Sequence, residues 1–123
     1  MRYGSRMAIN AVHALIYSSK ADEVRAFLRD IIGWPHVDDG QGWLIFAMPP
    51  AEVAVHPTDG PTSHELYLMC DDIETTMADL GAKGVDFTEP VADRGWGLVT
   101  GIKLADGSSL GLYQPRHATA IRA

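Results

Sequence analysis

Two histidines stand at equivalent points of this sequence. His13 and His64 each open an apolar run that leads into an acidic helix signal and stops at a glycine the same distance on (33 − 13 = 20 and 84 − 64 = 20). A duplicated module repeats the direction of the first side chain in the second copy, so the pair points to a pseudo-symmetric site. Imidazole ligates metals, and near neutral pH it also serves as general acid, general base or hydrogen-bond partner. A catalytic metal takes three or four protein donors, so two histidines alone leave these chemistries open. Other routes find no support. Cys70 is the one cysteine and lacks a CxxC partner, and no GxSxG, Walker or GxGxxG pattern is present.

The elements that must position these histidines repeat as well. In the first module, about residues 8–56, residues 8–17 read as a buried strand and residues 19–22 as a capping box. Val24, Phe27, Leu28 and Ile31 then form one helical stripe, which Gly33 closes. A turn over 38–42 leads to a strand over 43–48, Pro49 and Pro50 interrupt, and residues 52–56 alternate, with Glu52, Ala54 and His56 on one face. Residues 57–62 are the linker. The second module, about residues 63–115, gives a strand over 64–70, a cap at Asp71 and Asp72, and a stripe of Ile73, Met77 and Leu80. Strands over 85–91, 96–104 and 109–114 follow. Each half thus reads β-α-β-β-β, and residues 1–7 and 116–123 read as loose ends.

The chain carries 123 residues, one domain's worth, and a formal charge of −6 with its ten basic residues scattered. Nucleic acid is not expected as a partner, because affinity for a phosphate backbone needs clustered Lys and Arg. No stretch reaches membrane-spanning length and the start is too short and polar for a signal peptide, so no membrane partner and a cytoplasmic location are expected.

The motifs HALIYSS at 13–19 and FLRDIIGW at 27–34 resemble the opening of the vicinal oxygen chelate superfamily, which includes glyoxalase I, bleomycin-resistance proteins and extradiol dioxygenases. HELYLMCDDI at 64–73 with LGAKGV at 80–85 resembles its second opening, and LADGSSLGLYQ at 104–114 its closing strand. The resemblance implies an α+β fold of two tandem βαβββ modules, forming a curled mixed sheet around a central cavity with the helices outside. It also implies a divalent metal held by the two histidines and by glutamates in each module's last strand. His13 and His64 match, but the glutamate positions fall on Ala54 and Gly111. Glu52, His56 or Tyr113 is then the possible third ligand, each two residues and roughly 6.6 Å along a strand from the matched position.

A pocket lined by His13, Leu15, Tyr17, Ala54, His56, His64, Leu66, Leu68, Gly111 and Tyr113 is expected, with Trp43 and Trp96 as stacking surfaces. Glu65 is expected on the opposite face, Cys70 as a small buried hydrophobe, and His36 and His117 in solvated loop and tail. The leading functional reading is a small-molecule-binding protein with a degraded metal site and no cofactor, taking a largely apolar or aromatic ligand. The alternative is a metal-dependent lyase, isomerase or ring-cleaving dioxygenase using one zinc, nickel, manganese or iron ion. The blandest reading is an interaction module whose cavity its own side chains fill. Exposed edges of small sheets, together with the pairing common in the family, lead to the expectation of a homodimer.

Overall fold

The computed structural model describes residues 13–38, 40, 42–52, 54, 56–57, 59–61, 63–118 and 120. Helix α1 (Ala21–Ala26) runs directly into a π-helical segment over Phe27–Ile32. The wider winding still buries Val24 and Leu28 and sets Phe27 and Ile31 against the core, so the stripe read from the sequence holds. Gly33 ends the segment at φ 81°, and its N–H reaches back to the Leu28 carbonyl at 2.9 Å. The expected capping box does not form. Lys20 is the N-cap residue without a side-chain cap, and the Ser18 hydroxyl accepts from the Lys20 N–H at 3.0 Å while donating to Asp106, far along the chain.

The rest of the first module is smaller than expected. Strands β1 (His36–Asp38) and β2 (Leu44–Phe46) form an antiparallel pair, and the Asp38 carboxylate closes the loop by accepting from Gly40 and Gly42. His36 lies in β1 rather than in a loop, its ring tilted against Phe46 at 5.5 Å. Residues 13–17, and residues 52, 54 and 56, are not in strands; residues 8–12, 53 and 55 lie outside the described residues. The common face expected for Glu52, Ala54 and His56 therefore has no ladder behind it. Prolines at 49, 50 and 57 bracket that segment and supply no donors.

The second module has its full complement: β3 (Tyr67–Met69), α2 (Ile73–Ala82), β4 (Ala92–Asp93), β5 (Gly97–Lys103) and β6 (Ser109–Pro115). Asp72 caps α2 by accepting from the Thr75 N–H at 3.1 Å, and the Gln114 side chain takes the Ile73 N–H at 2.9 Å, joining the helix start to β6. The strands make one mixed sheet in the order β3-β6-β5-β4, with β3 parallel to β6 and the other pairs antiparallel. Residues 85–91, expected as a strand, contribute one bridge between Phe87 and Ile102, since Pro90 interrupts, and pairing resumes at Ala92 and Asp93. The core gathers on the helix side of this sheet, where Ile73 and Ile102 are fully buried among Val24, Val85, Leu104, Leu110 and Leu112. The chain is α+β, and no helix among the described residues is long and apolar enough to cross a membrane.

Asp106 links the halves. The Ser108 hydroxyl, then the Ser18 hydroxyl and the Ser108 N–H, bond its carboxylate and hold its pKa at about 2, below the ordinary 3.8. A folded-state value below the unfolded one stabilises the fold above the unfolded value, and the contribution is lost as pH falls through the folded value. Asp106→Asn should therefore lower stability at neutral pH and converge with the parent as pH approaches about 2. Denaturant titrations across that range would contradict the assignment if the difference did not shrink.

Candidate ligand-binding site

The face of the sheet turned away from the core is built around a missing side chain. Register sets Tyr67 opposite Gly111 and Val99 opposite Tyr113, and strand alternation sends Ile102, Leu110 and Leu112 to the helices and these residues to the other side. The Tyr67 ring lies directly on Gly111, so that a Cβ there would come within 2.9 Å of three ring carbons. Only glycine leaves that space.

Three aromatic rings meet on this face. Tyr67 and Tyr113 are perpendicular at 5.4 Å between centroids, Trp96 and Tyr113 cross at 5.5 Å, and Tyr67 and Trp96 at 6.3 Å. Edge-to-face contacts of this kind contribute about 0.5–1.5 kcal/mol each beyond the area they bury. Tyr113 is nearly buried and is further covered by His117, stacked at 6.1 Å with its Nε2 3.5 Å from the phenol oxygen. His117 is exposed, as expected, and its ring also packs on Tyr113. Burial, then the Glu52 charge, raises the Tyr113 pKa; Glu52 itself accepts from the Ala120 N–H at 2.7 Å. Trp96, by contrast, is 43% exposed: two perpendicular ring contacts hold it while part of its surface stays open.

That open surface belongs to a cleft of about 670 Å³, within the range of small-molecule sites. Its polar side starts at Tyr67, whose hydroxyl donates to Glu65 Oε2 at 2.7 Å. The Glu65 hydrogen bond, burial and the Glu65 charge raise the Tyr67 pKa, with Arg94 opposing and Glu89 adding to the shift. The Cys70 thiol is pushed up chiefly by burial, which leaves it unsuited to act as a nucleophile.

Of the residues singled out from the sequence, Leu15, His64, Leu66, Trp96 and Gly111 line this cleft, and Tyr113 backs it through its ring contacts. His13, Tyr17, Trp43, Ala54 and His56 do not line it, and Tyr17 and Trp43 are 88% and 62% exposed. Leu68 packs on the core side. The sequence reading missed Glu65, Tyr67, Glu89 and Arg94, and it placed Glu65 on the wrong face. Alternation puts residues 65 and 67 on one face and 64, 66 and 68 on the other wherever the strand begins; the pairing of Tyr67 with Gly111 and of Leu68 with Leu112 is what turns the odd residues toward the cleft.

The metal implied by the resemblance does not fit. Among the described residues no three His, Cys, Asp or Glu side chains are grouped to hold an ion. The Tyr67 ring fills the space of the closing-strand carboxylate, and Glu52 is committed to the tail.

No family model and no curated protein sequence matches the chain. Solved structures do. TnmS3, an antibiotic binding protein from Streptomyces sp. CB03234, is 28% identical over 89% of this chain and 98% of its own, with a TM-score of 0.63. A member of the glyoxalase/bleomycin resistance protein/dioxygenase superfamily from Sphaerobacter thermophilus DSM 20745 is 23% identical over 88% and 99%, with a TM-score of 0.61. Lactoylglutathione lyase from Agrobacterium tumefaciens is 14% identical over 88% and 96%, with a TM-score of 0.59.

The glycine and the ring lying on it are coupled. Gly111→Ala should destabilise the fold by about 1–3 kcal/mol, the usual cost of overpacking. In a Tyr67→Ala background the same change should cost much less. Strictly additive losses in a double-mutant cycle would show that the ring does not occupy that space.

Proposed function

Because the chain has the fold of the glyoxalase/bleomycin resistance protein/dioxygenase superfamily, we propose that it binds a small, planar, aromatic molecule in the cleft beside Trp96, without a metal. The observation that carries this reading is the partly exposed Trp96 ring, held by perpendicular contacts with Tyr67 and Tyr113 before any ligand arrives. A ring preorganised in this way offers a stacking surface without paying ordering entropy on binding. The donor set supports the metal-free part: His13 and His64 lack a third partner among the described residues, and the position of the closing-strand carboxylate holds apolar ring surface. The similarity to an antibiotic binding protein supports ligand binding as the use of this fold.

The proposal includes a homodimer in the cytoplasm. Among the described residues, seven of the eight large apolar side chains left exposed lie between residues 15 and 48, Leu15, Tyr17, Val37 and Trp43 foremost, and a second copy would cover them.

Titration with naphthalene-2-methanol should quench the Trp96 part of the fluorescence saturably, and Trp96→Ala should weaken binding by roughly 3- to 10-fold, the worth of one aromatic contact. Equal binding by that variant, or none by the parent, would overturn the aromatic reading. Elemental analysis of protein purified without chelators should find no stoichiometric metal; a stoichiometric ion lost in His64→Ala would sink the metal-free reading. Light scattering should give twice the chain mass for the parent and less for Trp43→Lys. A parent that stays monomeric at every concentration rules out the pairing.

A further inference from the structure

We propose that Arg94 makes the cleft selective for aromatic ligands carrying a single anionic oxygen group, a carboxylate or phenolate, held by the guanidinium while the ring lies on Trp96. The inference rests on the aromatic-cleft reading above and specifies the ligand class for that site.

Arg94 and Trp96 both line the cleft from one turn, between β4 and β5. That turn is pinned throughout. The Arg94 N–H donates to the Gly97 carbonyl at 2.9 Å, the Asp93 carboxylate accepts from the Gly95 N–H at 2.9 Å, and the Trp96 carbonyl accepts from the Arg116 N–H at 2.9 Å. Arg116 also pairs with Asp93 at 2.7 Å, so the base of the turn is clamped on the tail side as well. Guanidinium and indole are therefore presented together from a fixed backbone, two residues apart.

Arg94 differs from the other described arginines. Arg25 pairs with Asp22, Arg29 with Asp30 and Arg116 with Asp93, while Arg94 has no ion pair among the described residues. An unpaired guanidinium in a cleft offers a planar fork of donors that matches a carboxylate in two parallel hydrogen bonds.

The charged groups around it narrow the class further. Glu65 and Glu89 line the same cleft, and the chain carries −6 overall, so no long-range field draws anions in. Glu65 already accepts the Tyr67 hydroxyl. Two carboxylates against one guanidinium disfavour phosphates and other polyanions, and they leave contact geometry at Arg94 as the source of selectivity. A single carboxylate or phenolate attached to a ring satisfies both surfaces.

Three matched naphthalenes test this by calorimetry: 2-naphthoate, naphthalene-2-methanol and 2-naphthylmethylammonium. The parent protein should bind the carboxylate about tenfold more tightly than the carbinol, the worth of one charge-assisted pair, and Arg94→Gln should bring that ratio close to one. Arg94→Lys should keep only part of the preference, because a point charge cannot make the fork. Unchanged circular dichroism confirms that the variants fold. A parent that prefers the ammonium compound, or a carboxylate preference that survives in Arg94→Gln, overturns the role of Arg94 while leaving the aromatic reading intact. Failure of all three compounds to bind overturns the aromatic reading and this inference with it.

Discussion

The antiparallel ladder between β5 and β6 fixes almost everything else. It runs from Gly97 opposite Pro115 to Lys103 opposite Ser109, and within it each residue has one possible face. Ile102, Leu110 and Leu112 meet Ile73 and Val24 from the helices on one side, and Val99, Gly111 and Tyr113 lie on the other. A slip of one residue would put Tyr113 into the helix core and Leu112 into the cleft. The ladder is thus both the floor of the core and the floor of the site.

Among the described residues the two halves of the chain stand in contrast, because only the second shows a complete ladder. In the second, β3 docks parallel on β6, and its crossover carries α2, whose first N–H is taken by Gln114 of β6. Each element there satisfies a polar group of another while burying its apolar side. In the first half, residues 13–17 are as apolar as those of β3, yet they are not paired, and Leu15 and Tyr17 remain exposed. Local composition is the same in both; a hydrogen-bonded neighbour is what differs.

This contrast explains what could be read from the sequence. Helix caps and turns are set by nearby residues, and there the reading holds except at the capping box over 19–22: Asp72 caps α2, Gly33 ends the first helix, and the aspartates at 38, 93 and 106 each bond the N–H two residues on. The order of elements in the second half is equally legible. Strand faces are different, because alternation divides a strand into two faces without saying which of them meets the core. Residues 65 and 67 share a face, and the pairing of Tyr67 with Gly111 on a distant strand is what brings both Glu65 and Tyr67 to the cleft. Contacts made by the tail were out of reach for the same reason. Nothing near His117 in the sequence announces that it stacks on Tyr113, or that Glu52 accepts from Ala120.

Gly111 shows how a single position can alter what a fold is able to bind. A carboxylate there would bring a charged oxygen donor to the floor of the cleft, and it would need a metal or another cation to offset its desolvation. Glycine removes the charge and also opens space for the Tyr67 ring. The ring then gives its hydroxyl to Glu65 and braces Trp96 and Tyr113 through perpendicular contacts. The centre of the site becomes apolar, and its polar groups move to the rim, where Arg94 and Glu89 stand. A site of that construction distinguishes ligands by ring shape on the floor and by charge at the edge, so substitutions at the rim can change the choice of ligand without disturbing the ladder beneath.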